Sequence, residues 1–212
     1  MVHWLYRVCY PIVRLGFALF SRRQVIGREN VPREGPLLVA CNHMTNFDPP
    51  LLSISLGRYL TFMAKEELFR SPLAAFFLSR LGSFSVRRGR IDRQAMRLAE
   101  KVLANGGALV VFPEGQRSRS SQLRQAFSGA AAIAQRYGVP ILPVGITGTE
   151  QVGSVRHLLR RPRVTVTIGP TFRLPAVRGR SQRAESTEQI MRRIAGVLPR
   201  EYRGVYSEEK SG

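Results

Sequence analysis

Cysteine is scarce: the 212 residues hold only Cys9 and Cys41. Two thiols 32 positions apart make no disulfide scaffold and no CxxC metal site, and a reducing compartment is the simpler setting. Acidic residues are also few, 14 against 33 lysines and arginines, for a net charge of +19. Such a balance points to a polyanionic partner: nucleic acid, an anionic membrane surface or phosphorylated substrates. Lysine itself occurs only at Lys65, Lys101 and Lys210. The positive charge is therefore nearly all guanidinium, which suits bidentate phosphate binding, although a GC-rich genome gives the same bias. Long apolar runs are missing too, with no stretch near the roughly 18 uninterrupted residues of a membrane-spanning helix. What the chain has is 44% hydrophobic residues, with Gly and Pro scattered without a period, which excludes collagen-like and wholly disordered proteins. One sizeable core is the expectation.

The first twenty residues are not ordinary surface. Between Trp4 and Phe20 nearly everything is apolar except Arg7 and Arg14, seven apart and so on one side of a helix. The spacing predicts an interfacial helix over residues 1–21, its arginines at lipid phosphates and Trp4, Leu5, Val8, Ile12, Leu15 and Leu19 among acyl chains. The alternative is a helix packed on the protein's own core. A cleaved signal peptide fits less well, because Pro11 and Arg14 break the apolar run and Arg22-Arg23 stands where small residues are wanted.

From Val25 onward short apolar runs alternate with helical patterns, as in an α/β domain with a mixed β-sheet flanked by helices, here assigned to residues 22–212. Strands are expected at Leu37 to Cys41, Tyr59 to Ala64, Ser83 to Val86, Ala108 to Phe112, Ile141 to Ile146 and Val164 to Ile168. Helices are expected from Asp48 as N-cap, from Ser71-Pro72 through Leu81, from Arg93 to Ala104 after Asp92, and from Ala126 to Tyr137. Ser186 and Gln189 read as a capping box opening a last helix, with Pro175 to Ser186 as a polar linker. The apolar segment with Leu73, Phe76, Phe77 and Leu81 can line an acyl-chain tunnel, face lipid or simply pack in the core.

Chemistry in such folds sits in loops at the carboxyl ends of strands. The loop Asn42 to Pro49 holds His43 and Asp48, five positions apart. Five residues turn a helix by about 500°, so the two meet only if the loop folds back. If they meet, the carboxylate fixes the imidazole tautomer and leaves the other ring nitrogen as a general base. No serine accompanies them, so the nucleophile has to come from the substrate. Asp48 can equally be no more than a helix cap, and His43 a partner of the loop backbone. Cys41 is a rival nucleophile two positions before His43, though it ends a buried apolar run where thiols are usually inert. Two further loops, Gly82 to Gly89 and Phe112 to Ser118, set arginine beside glycine, a setting for phosphate. Glu114 ends an apolar strand in an acid-poor chain, either paired with an arginine or binding hydroxyls.

The ordered blocks NHMTNFD, GSFSVRR, FPEGQRS and VPILPV resemble those of the glycerolipid acyltransferases, the PlsC-like 1-acyl-sn-glycerol-3-phosphate acyltransferase family, over about Leu37 to Val144. The resemblance implies transfer of an acyl group from acyl-CoA or acyl-ACP to the sn-2 hydroxyl of lysophosphatidic acid, giving phosphatidic acid. It makes His43 the base and Asp48 its orienting partner. It also assigns Lys65, Arg88 and Arg117 to the acceptor phosphate, and Glu114 and Gly115 to placing the acceptor. Two arginines stand where the family pattern has one; counting six from Gly82 selects Arg88, with Arg87 as substitute. The block around Pro140 and Pro143 falls on the donor side. A thioester is already activated, so the resemblance calls for no cofactor and no metal. The expected partners are the two substrates and a membrane surface, at the cytoplasmic face of the cell membrane, and not nucleic acid. The competing readings are acylation of another lysophospholipid, a non-catalytic anionic-lipid-binding protein, and a basic nucleic-acid-binding domain. The last leaves the His43–Asp48 loop unexplained.

Overall fold

The computed structural model describes residues 4–87, 92–152, 160–175 and 180–207, with residues 180 and 181 by backbone alone. Seven strands form one sheet: β1 (Arg22–Ile26), β2 (Leu37–Cys41), β3 (Leu60–Lys65), β4 (Ser83–Val86), β5 (Ala108–Val111), β6 (Ile141–Thr147) and β7 (Arg163–Ile168). Their order is β1-β7-β6-β2-β5-β3-β4. All neighbours are parallel except β6 and β7. The sheet is mixed, as expected. Central β2 is buried along its whole length, which is why its sequence, LLVAC, is unbroken in apolarity rather than alternating.

Among the described residues six α-helices accompany the sheet: α1 (Trp4–Phe20), α2 (Asp48–Ser55), α3 (Pro72–Arg80), α4 (Arg93–Ala104), α5 (Gly129–Tyr137) and α6 (Arg180–Gly196). The pleat sorts the side chains of β2. Leu37, Val39 and Cys41 pack with Phe17 of α1 and Leu51, Leu52 and Ile54 of α2, while Leu38 and Ala40 pack with Ala99 and Leu103 of α4, Ile133 of α5 and Ile190, Met191 and Ile194 of α6. The steps β2 to β3 and β3 to β4 run the same way along the sheet. Right-handed connections therefore put α2 and α3 on one face and α4 and α5 on the other.

Several boundaries differ from the sequence reading. Strand β1 escaped it because an edge strand reading RRQVI alternates exposed and half-buried residues and shows no apolar run. Helix α5 starts at Gly129, not Ala126, because the preceding chain is held elsewhere: Phe127 N–H donates to the Pro113 carbonyl and Leu123 N–H to that of Tyr202. Ser186 opens nothing. It lies inside α6, its hydroxyl donating to the Gln182 carbonyl and accepting from Gln135, so the chain from Arg180 is helix rather than linker. Asp48 is not a cap either, since Phe47 holds the N-cap position and Asp48 is the first helical residue. The Asp92 cap stands, accepting from Gln94 and Ala95 N–H. Helix α1 packs on the fold through Leu5 and Phe17 while its outer face stays exposed, and no described helix is long and apolar enough to cross a membrane.

Candidate active site

The parallel strands deliver their carboxyl ends to one edge of the sheet, and five of them, β2 to β6, supply the site. After β2 the chain runs into Asn42, whose side chain bridges to β6 by donating to the Ile146 carbonyl (2.9 Å) and accepting from the Ile146 N–H (2.7 Å). This clamp sets the exit direction of the next residue, His43. The loop then folds back, and His43 Nδ1 lies 2.8 Å from Asp48 Oδ2.

Asp48 is fully buried, and both of its oxygens are hydrogen-bonded. Oδ2 accepts from the Met44 N–H (2.7 Å) and Thr45 N–H (2.8 Å) besides the imidazole, and Oδ1 accepts from the hydroxyls of Thr45 (3.2 Å) and Thr149 (2.7 Å). These donors compensate the burial of the carboxyl group without an arginine beside it. An imidazole carrying its proton on Nδ1 would donate to this carboxyl group and leave the Nε2 lone pair unshared. Phe112 stacks on the imidazole with ring centroids 4.1 Å apart and planes 19° from parallel, fixing the ring's orientation. His43 is 9% exposed, so little of it reaches solvent.

Glu114 sits at the end of β5 and meets this loop from the other side. Its Oε1 accepts the His43 backbone N–H (3.1 Å), and its Oε2 accepts the Arg124 N–H (3.0 Å). Both oxygens are thus held by backbone amides, an outcome that neither reading from the sequence anticipated. Burial pushes this carboxyl up to about 7, against the pull of the two N–H groups and the Arg124 charge. Gly115 follows with φ of 67°, in a turn closed by its N–H on the Phe112 carbonyl; a Cβ there would come within 2.7 Å of the Phe127 ring. Ser118 N–H donates to the His43 carbonyl (2.7 Å), so the Phe112–Ser118 loop grips His43 at both backbone groups.

Of the cationic residues assigned to the acceptor, Lys65 and Arg117 lie along the same edge. Lys65 ends β3 and pairs with Glu67 (2.9 Å), while Arg87 follows β4 with Nε 3.0 Å from both carboxylate oxygens of Glu66. Arg117 is exposed in the loop that holds His43. Arg88 lies outside the described residues. Cys41 is excluded as a nucleophile: it is fully buried, and burial, reinforced by the Asp48 and Glu114 charges, pushes its thiol well above the ordinary range. Among the described residues no group of His, Cys, Asp and Glu could hold a metal ion.

Thr149, Asn42 and Phe112 are site residues that the sequence reading did not single out. Thr149 had one usable signal, since it follows Gly148 just past the carboxyl end of β6. Gly148 itself has φ of 84°, and a Cβ there would run into the Arg163 carbonyl oxygen.

Comparison with known proteins agrees with this arrangement. The sequence model of the family described as Acyltransferase matches residues 22–147, which includes every strand except β7 and the whole His43–Asp48 loop. The 1-acyl-sn-glycerol-3-phosphate acyltransferase of Bacillus subtilis is 27% identical over 167 residues, covering 78% of this chain and 81% of that protein. The lyso-ornithine lipid O-acyltransferase of Pseudomonas aeruginosa is 35% identical over 146 residues, covering 68% and 52%. This chain spans about half the length of several curated relatives it matches. The crystal structure of the 1-acyl-sn-glycerophosphate acyltransferase PlsC from Thermotoga maritima superposes with a TM-score of 0.71 at 28% identity, over 92% of this chain and 78% of that one. The fold, the ordered sequence blocks and the matched segment lead to one conclusion: the chain belongs to the Acyltransferase family.

Proposed function

We propose that the protein acylates the sn-2 hydroxyl of a 1-acyl-sn-glycerol-3-phosphate, with acyl-CoA or acyl-ACP as donor, and releases phosphatidic acid and the free thiol. The observation that carries this reading is the buried 2.8 Å contact of His43 Nδ1 with Asp48. In the proposed step Nε2 of His43 takes the hydroxyl proton as the oxygen attacks the thioester carbonyl. The carbon–sulfur bond then breaks, and the proton passes to the departing thiolate. Asp48 steadies the imidazolium in between, and neither a metal nor a covalent acyl-enzyme is needed.

Lys65, Arg88 and Arg117 take the acceptor phosphate, with Arg87 held at the same edge by Glu66. Glu114 acts through the backbone of His43, and Gly115 allows the tight turn, packed on Phe127, beside which the glycerol sits. Residues 1–21 rest on the cytoplasmic face of the cell membrane, and residues 22–212 form the acyltransferase domain. The names of the Bacillus subtilis and Thermotoga maritima relatives support this acceptor. The Pseudomonas aeruginosa relative favours a second reading, in which the acceptor is a lyso-ornithine lipid without a phosphate.

Acyl transfer to each acceptor, measured with wild type and with His43→Ala and Arg88→Ala, tests both readings. Loss of the base should cost on the order of a hundredfold or more in kcat. Arg88→Ala should raise the KM of lysophosphatidic acid far more than that of the donor. Equal rates for wild type and His43→Ala would remove His43 as the base. Turnover with lyso-ornithine lipid alone would select the second reading, and lipid binding without turnover of either acceptor would leave an anionic-lipid-binding protein.

A further inference from the structure

Helix α3 is an anomaly. Its sequence, PLAAFFLSR, is as apolar as a core helix, yet none of its residues is buried. Leu73 is 69% exposed, Phe76 43% and Phe77 41%, and Leu68 in the turn just before the helix is 51% exposed. A water-facing helix of a globular protein normally buries its apolar stripe and shows charge outside. Here the stripe itself is outside.

A second helix shows the same exposure. On α1, Trp4, Val8, Ile12, Leu15 and Leu19 recur every three or four residues and are all exposed, whereas among the described residues α4, α5 and α6 expose no large apolar side chain. Helices α1 and α2 pack on one face of the sheet, and the right-handed connections place α3 on that same face. Tyr59 joins the two exposed elements. Its ring meets Tyr6 of α1 edge-on at 4.8 Å and closes over Gly82 just beyond the end of α3.

We infer that α3 and the turn before it form a second lipid-docking edge, which together with α1 lays this face of the sheet on an anionic bilayer. Charge selects the occupant. Arg70 lies between the turn and the helix, and the Arg80 guanidinium stands 3.7 Å over the Phe76 ring. From there it reaches lipid phosphates while the rings enter the acyl region. The acidic side chains of the turn, Glu66 and Glu67, are already paired with Arg87 and Lys65. A second copy of a chain of net charge +19 would bring arginine against arginine at this patch, whereas an anionic surface complements it. The docking edge also adjoins the carboxyl ends of β3 and β4, where Lys65 and Arg87 stand. A lipid acceptor could then enter from the bilayer with its headgroup at those cations.

Trp4 is the only tryptophan, so the full chain carrying Trp4→Phe and Phe76→Trp reports on α3 alone. Mixed with vesicles of phosphatidylcholine and phosphatidylglycerol whose acyl chains are brominated, its emission should shift to the blue and fall at least twofold. Phe77→Trp in the same background is the second probe should the first disturb folding. Leu73→Ser with Phe77→Ser should weaken partitioning to these vesicles about tenfold, with unchanged far-ultraviolet dichroism and melting temperature. An unquenched indole on vesicle-bound protein would overturn the inference. Equal binding to pure phosphatidylcholine would overturn it too, as would a dimer in sedimentation that dissociates on Leu73→Ser with Phe77→Ser. The inference rests on the protein acting on a lipid at a bilayer, and the two can fail separately. Quenching without turnover would sink the assignment of the site, and turnover without quenching would sink the docking edge.

Discussion

Thr149 donates a 2.7 Å hydrogen bond to Asp48 from 101 residues further along the chain, and both residues are fully buried. It holds the outer oxygen of the carboxylate whose inner oxygen holds His43. Thr149 is thus a positioning residue for the proposed base: with its hydroxyl gone, one of the bonds that hold Asp48 toward Nδ1 is lost.

Thr149→Val keeps the shape and removes the donor, so kcat should fall about tenfold, the worth of one hydrogen bond to a charged group. The KM values of both substrates should hold, and Thr149→Ser should restore most of the rate. Steady-state kinetics with both substrates varied provide the check; a valine variant with wild-type kcat would make the contact incidental.

Glu114 predicts a pH dependence of stability. Its folded carboxyl titrates near about 7 against an ordinary 4.5, because burial disfavours the charge. Below 4.5 both folded and unfolded chains carry the proton; as pH rises toward 7 the unfolded chain releases it first. That contribution to stability is therefore lost on going up in pH, by up to roughly 3 kcal/mol. Glu114→Gln should flatten this part of the profile in urea unfolding at pH 4.5, 5.5, 6.5 and 7.5, the wild type declining more steeply across the window.

Cys41 should be dispensable for chemistry. Cys41→Ala removes a buried sulfur from the core between β2 and α2, costing about 1 kcal/mol of stability, with kcat unchanged. Alkylation of the native protein with iodoacetamide should leave activity intact for the same reason, since the thiol is neither accessible nor ionised. A dead alanine variant that still folds would return Cys41 to the mechanism.

Asn42 ties β2 to β6 with two bonds to Ile146, one given and one received. Asn42→Asp keeps the acceptor but turns the donor into a second acceptor facing a buried carbonyl. Denaturant unfolding should show a loss of about 2 kcal/mol or more, and acyl transfer should fall with it because His43 follows directly.

Much of the sheet was legible because its strands are buried on both faces. Leu37 to Cys41, Ala108 to Val111 and Ile141 to Ile146 are apolar runs that only a covered parallel sheet accounts for. The edge strand β1 and the interior place of Ser186 in α6 were not legible, since each depends on a neighbour distant in sequence: Arg163 to Thr167 for β1, Gln135 for Ser186. For α3 the residues left three outcomes open, and burial removed the core-packing one.

Residue order alone determined the family blocks, the cationic surplus, the presence of a histidine and an aspartate in one short loop, and most of the elements that carry them. These are local properties, written in composition, spacing and periodicity. Only the tertiary structure decided that the loop folds back, that Glu114 grips the backbone of His43, and that Thr149 completes the shell around Asp48. The last two contacts join segments 71 and 101 residues apart, and no pattern in a single stretch of chain encodes them. They arise because parallel strands from distant parts of the sequence end at the same edge of one sheet.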